Sequence, residues 1–138
     1  MNDLTLKDVP HYQSFLTQAT REIRKARVQA AHAVNREAVN LYWWLGEQIF
    51  QHQQQYNWGK SIVEQLSKDL KLAFPDAKFG FSARNLWDMR RLYIEYKDFP
   101  KLRQLVAEIP WGQNLMILNK IKNEEERLYY LSSTKEEA

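Results

Sequence analysis

From Pro10 to Gln54 the chain meets a single strong helix breaker, Gly46, and this long uninterrupted run constrains the fold more than any other feature. Leu16, Ala19, Ile23, Ala26, Ala30 and Ala33 recur at alternating spacings of three and four, the periodicity of one helix face. That seam is narrow and alanine-rich, so a partner helix can approach it closely. A helix of about 40 residues spans roughly 60 Å at ~1.5 Å per residue, more than the width of a domain this size. The run must therefore protrude, pack on another chain, or break near Gly46. Two readings fit: a first helix lying along its own domain, and a dimerising arm whose contact residues include Ile23, Ala26, Ala30 and Ala33. Farther on, Leu41, Tyr42, Trp43, Trp44, Leu45, Ile49 and Phe50 are apolar almost all round, which predicts burial in the globular core. The polar patch Gln51 to Gln55 reads as a frayed helix end.

Further helices follow, each with a start or stop signal. One runs from Lys60 or Ser61 to Leu72 and halts before Phe74-Pro75. The next begins at Ser82, a good N-cap after Gly80, and continues to about Lys97, before Phe99-Pro100. A third covers Leu102 to Ile109. After Pro110-Trp111-Gly112 come Asn114 to Ile121 and Glu124 to Leu131, then a polar tail expected to be loose. With four glycines, four prolines and no alternating apolar runs, an all-α fold is expected. The expected organisation is a single helical domain over 1–138. It comprises a long helix or helix pair over 10–54, a helix-turn-helix-like unit over 59–97 and C-terminal helices over 101–132.

Composition narrows the function classes. The 138 residues are 44% hydrophobic and include five tryptophans, enough for one core of ordinary size. A formal charge of +3 and a pI near 9.1 permit an anionic partner without demanding one. The chain has no cysteine, which removes disulfides and thiolate metal sites, and His11, His32 and His52 lack metal-ligand spacing. No cofactor or metal is expected. Without a signal-like N-terminus or an 18-residue apolar run, the expectation is a cytoplasmic protein with no membrane partner.

The stretch from Gly59 to Tyr96 carries the most direct pointer to a partner. At about 100° per residue, Arg84, Asp88, Arg91 and Glu95 share a narrow polar stripe, with Asn85 at its edge. A helix N-terminus offers free N–H groups and partial positive charge to a phosphate. On this reading Ser82, Arg84, Asn85, Asp88 and Arg91 form a nucleic-acid-binding surface, with Lys78 in the turn as a backbone contact. Arg84 suits guanine and Asn85 suits adenine. The plainer alternative makes Arg84 and Asp88 an i,i+4 surface pair. Arg90 falls in the apolar arc, where a structural ion pair with an acid from another helix is expected rather than a phosphate contact.

Two weaker patterns remain. Pro75-Asp76 and Glu95-Tyr96-Lys97 spell the letters of a metal-dependent nuclease motif, but a turn and a helix end replace the strands that such chemistry needs. The chain is therefore not expected to be an enzyme. The segment Gly80 to Leu86 is echoed by Pro110 to Leu115, each placing an aromatic and a turn residue before a helix start containing Asn-Leu. Either Gln113, Asn114 and Lys120 form a second polar surface, or Trp111 serves the core and the rest is capping.

Several motifs in one order carry a family resemblance: Leu41-Tyr42-Trp43-Trp44-Leu45-Gly46, Tyr56-Asn57-Trp58-Gly59-Lys60, Leu66-Ser67-Lys68-Asp69-Leu70, Phe79 to Arg90, and Ile109 to Asn114. Over roughly Tyr12 to Leu131 the chain resembles the N-terminal domain of the YhcG-like proteins. The resemblance implies a prokaryotic helical domain, helix-turn-helix-like, followed in full-length members by a PD-(D/E)XK nuclease domain. It implies a role in positioning that nuclease on DNA, or in pairing subunits as a homodimer.

Overall fold

The computed structural model describes residues 11–77 and 80–137. Among these the fold is all-α, with six helices in the order α1 (Tyr12–Tyr56), α2 (Lys60–Ala73), α3 (Ala83–Tyr96), α4 (Pro100–Val106), α5 (Trp111–Lys120) and α6 (Glu124–Glu137). The chain divides into two compact units, one ending at Val34 and the other spanning Asn35–Ala138.

In the first unit no described residue is buried. Ile23 is 54% exposed, and Ala26, Ala30 and Ala33 are exposed as well. Among the described residues the seam found by periodicity is therefore largely uncovered.

In the second unit α1 continues through Gly46 without a break. Gly46 is buried, and a Cβ there would overlap the Met89 carbonyl oxygen and lie 2.5 Å from its carbonyl carbon and 3.0 Å from the Arg90 nitrogen. The residue that reads as a breaker is a close-approach site where α1 meets the backbone of α3. Helix α1 ends instead at Asn57, whose φ of 56° is left-handed, a conformation asparagine tolerates better than most residues. The glutamine patch stays helical, and the ring of its His52 stacks on that of Trp58 with centroids 4.7 Å apart.

Two buried clusters hold this unit together. One gathers Ile49 of α1, Val63 of α2, and Leu86 and Met89 of α3. The other joins Val39 to Leu92, Tyr96, Leu102, Val106, Ile109, Leu118 and Leu131. The aromatic run of α1 is less buried than its composition suggests. Leu41 is 44% and Trp44 53% exposed, and together with Leu70, Phe74 and Phe81 they border an apolar groove of about 570 Å³. The core covers only one side of α1, so a run apolar all round leaves part of itself outside.

Helix ends follow local chemistry. Pro100 occupies the first turn of α4 and brings the start forward from Leu102, while turn hydrogen bonds at Glu108 and Ile109 end that helix early. The Asn114 N–H already donates to the Pro110 carbonyl at 3.0 Å, so α5 begins at Trp111. Asn123 caps α6, its side chain accepting from the Glu126 N–H at 3.1 Å, with Glu124, Glu125 and Glu126 at the positive end of the helix dipole. The tail is not loose: α6 runs to Glu137, because no breaker follows Leu131 and that residue is fully buried.

Arg90 does not form the ion pair expected of it; Arg127, to which the sequence pointed in no way, forms one instead. Arg90 makes no ion pair among the described residues; its Nε donates to Gln53, and its guanidinium lies 5.8 Å from the Phe50 ring and 5.7 Å from the Trp87 ring. Aromatic faces and a neutral amide satisfy it in place of a carboxylate. The buried ion pair belongs to Arg127, which is 5% exposed and donates to Glu95 at 2.9 Å and to the carbonyls of Ile121 at 2.7 Å and Leu118 at 3.2 Å.

Candidate nucleic-acid interface

The residues just before α3 are tied to both flanking helices. The buried Ser67 hydroxyl donates to the Phe81 carbonyl at 2.6 Å, fixing the turn to α2. Ser82 caps α3, its hydroxyl accepting from the Asn85 N–H at 3.1 Å. The Asn85 side chain donates to the Gly80 carbonyl at 2.7 Å and accepts from the Trp111 indole N–H, also at 2.7 Å. Trp111 meets Tyr42 edge to face, with centroids 5.0 Å apart. A single asparagine thus joins the turn, the start of α3 and the start of α5 over an aromatic floor.

Above this floor lies an open cleft of about 640 Å³, walled by Ser82, Arg84, Asp88 and Arg91 on one side and by Gly112, Leu115, Met116 and Asn119 on the other. The first N–H groups of α3 and α5 have no acceptor within their own helices. Both helix starts border the cleft.

The polar residues that sequence reasoning grouped together have different occupations. Arg84 is exposed and makes no ion pair among the described residues, so the i,i+4 bridge to Asp88 does not form. Arg91 is engaged: its Nε donates to Glu95 at 3.0 Å, and its other nitrogens reach Asn119 and the Leu118 carbonyl. Burial pushes the Glu95 carboxyl up, but hydrogen bonds and charge from Arg127 and then Arg91 outweigh this and hold it below its ordinary value. Asp88 goes the other way, because burial raises its carboxyl more than Arg84 and Arg91 lower it. Lys78 lies outside the described residues.

Two assignments change. Asn85 has both ends of its amide in use, so gripping adenine would break the bonds to Gly80 and Trp111. Asn114 belongs to no surface: it is fully buried, and its Nδ2 serves the carbonyls of Val106, Ile109 and Pro110. Gln113 and Lys120 are exposed but do not line the cleft. The sequence echo has a physical basis in these asparagines. Asn85 and Asn114 each hold the carbonyl five residues earlier, Gly80 and Ile109, clamping the turn before a helix. That echo was the available signal for Trp111 and Gly112 as cleft residues; Tyr42 and Asn119 had none.

Of the apparent nuclease letters, Asp76 lies in the turn after α2 and Glu95 near the end of α3. Glu95 spends its carboxylate on two guanidiniums, and no group of three or more His, Cys, Asp or Glu residues suited to a metal occurs among the described residues. Among the described residues no helix is long and apolar enough to cross a membrane.

The family model described as the DUF1016 N-terminal domain matches residues 18–138. No curated protein and no solved structure matches the chain.

Proposed function

Because the chain belongs to the family of the DUF1016 N-terminal domain, which is the YhcG family, we propose that it is a nucleic-acid-binding module that positions a nuclease domain of the full-length protein on DNA. One observation carries this reading. Arg84 is an exposed cation without an ion-pair partner among the described residues, at the mouth of a polar cleft bordered by two helix starts. An unpaired guanidinium beside oriented N–H groups suits a phosphate oxygen. Asp88 in the same wall repels a phosphate that enters deeply, so the backbone contact belongs at the Arg84 rim. With Asn85 and Arg91 committed internally, the surface grips a backbone rather than reading bases. The test is binding of duplex DNA across a salt series: Arg84→Gln should weaken binding and lower the salt slope by about 1. Equal affinity and slope for the parent and the variant would remove the cleft as the contact.

The uncovered seam in the first unit favours a second reading, pairing with another copy through Ile23, Ala26, Ala30 and Ala33. Small side chains permit close approach of two helices. Light scattering should then give a dimer mass that Ala26→Glu with Ala30→Glu reduces to a monomer; a monomeric parent at high concentration removes this reading.

A further inference from the structure

We infer that the helix face bearing Arg21, Arg24 and Lys25 is a separate contact for the phosphodiester backbone of nucleic acid, an inference that rests on the nucleic-acid reading above and adds a surface in the first unit. The stretch Tyr12–Val34 contains four cations, Arg21, Arg24, Lys25 and Arg27, and one acid, Glu22. It therefore accounts by itself for the formal charge of +3 carried by the whole chain, and the remaining residues are neutral in sum. A basic surplus with weak meaning when spread over 138 residues becomes a strong local field when it sits on six turns of helix.

The cations are also sorted by face. At about 100° per residue, Arg21, Arg24 and Lys25 lie within roughly 50° of a common direction and about 130° or more from the centre of the apolar seam. Ser14 and Thr17 share their face and supply hydroxyl donors, while Glu22 stands about 100° away from its centre. All five of these polar residues are exposed, and none of the three cations has an ion-pair partner among the described residues. Arg21 and Lys25 are one turn apart, about 6 Å along the axis, so the face spans neighbouring phosphates of a duplex.

This arrangement favours a polyanion over a lipid surface. The opposite face exposes Phe15, Leu16, Ile23 and Val34 beside its alanines, and burying that face among acyl chains would turn the cations away from the headgroups. Pairing through the seam leaves the basic face open.

The experiment uses the full chain and a labelled random duplex, comparing the parent, Arg84→Gln, and the triple variant Arg21→Gln, Arg24→Gln, Lys25→Gln. Glutamine has a helix propensity close to that of arginine and lysine, and circular dichroism checks that helix content is kept. The triple variant should bind at least about a hundredfold more weakly near 0.1 M salt, with a salt slope lower by about 2–3. Affinity within twofold of the parent at an unchanged slope overturns the inference, whatever Arg84→Gln does. Loss in the triple variant with Arg84→Gln unaffected supports the inference and discards the cleft. Vesicles rich in phosphatidylserine form the other arm: parent binding lost in the triple variant, while duplex binding is kept, assigns the face to lipid and overturns the inference.

Discussion

Gly46→Ala should destabilise this protein although it improves an α-helix. At a solvated position alanine is better than glycine by about 1 kcal/mol. Here the added methyl meets the backbone of α3, overlapping the Met89 carbonyl oxygen and lying 2.5 Å from its carbon. Carbon atoms rest in contact at about 3.5–4.0 Å, so α1 and α3 must separate by about 1 Å. The obstacle is main chain inside a helix and has no rotamer through which to escape. Overpacking of this kind costs about 1–3 kcal/mol or somewhat more, and against a rigid obstacle the upper end applies, leaving a net loss near 2 kcal/mol after the propensity gain. For a chain of this length that corresponds to a melting temperature lower by about 6–10 °C. The same displacement loosens Leu86 and Met89 in the core and moves Asn85 away from Trp111, so cleft geometry and stability should suffer together. Thermal and urea unfolding followed by circular dichroism provide the assay. Gly112→Ala is the control, because a Cβ there meets nothing within 4 Å and α5 should gain slightly. A Gly46→Ala protein that melts at or above the parent would refute the close-approach argument.

Three other substitutions probe polar groups that are buried or half-buried. Glu95→Gln should cost roughly 1–2 kcal/mol at neutral pH by weakening charge-assisted bonds to Arg127 and Arg91. The lowered Glu95 carboxyl contributes stability that is present above its ordinary range and lost as pH falls through the folded value, so the gap from the parent should close in that acidic window. Asp88 is raised by burial, so its ionisation opposes folding at neutral pH; Asp88→Asn should unfold at higher urea there, lose that advantage in acid, and bind duplex DNA more tightly at every salt concentration. The fully buried Tyr96 hydroxyl has no hydrogen-bond partner among the described residues, and burial pushes its pKa up to about 12. Tyr96→Phe should therefore be neutral or stabilising by about 1 kcal/mol in urea denaturation, whereas a clear loss would reveal a partner for that oxygen.

The cleft was partly legible in the sequence because helix periodicity assigns angles without knowing neighbours. Arg84, Asp88 and Arg91 were grouped correctly on one wall. Their availability was not legible, since whether a polar side chain is free depends on partners far along the chain. Asn85 is claimed by Trp111, 26 residues away, and Arg91 by Asn119, 28 residues away. Arg90 illustrates the same limit, for the apolar arc identified a half-buried arginine but not the aromatic rings and amide that meet it.

By itself the sequence determined the all-α class, the run of helices, the Ser82 cap and the seam from Leu16 to Ala33, because these depend on local periodicity and capping chemistry. Tertiary structure alone decided that Gly46 is a contact and not a break, that Asn114 is core, that Trp44 is left outside, and that Arg84 is the cleft cation without an ion-pair partner among the described residues. These outcomes depend on which backbone lies opposite a given side chain, and no spacing along the chain encodes that.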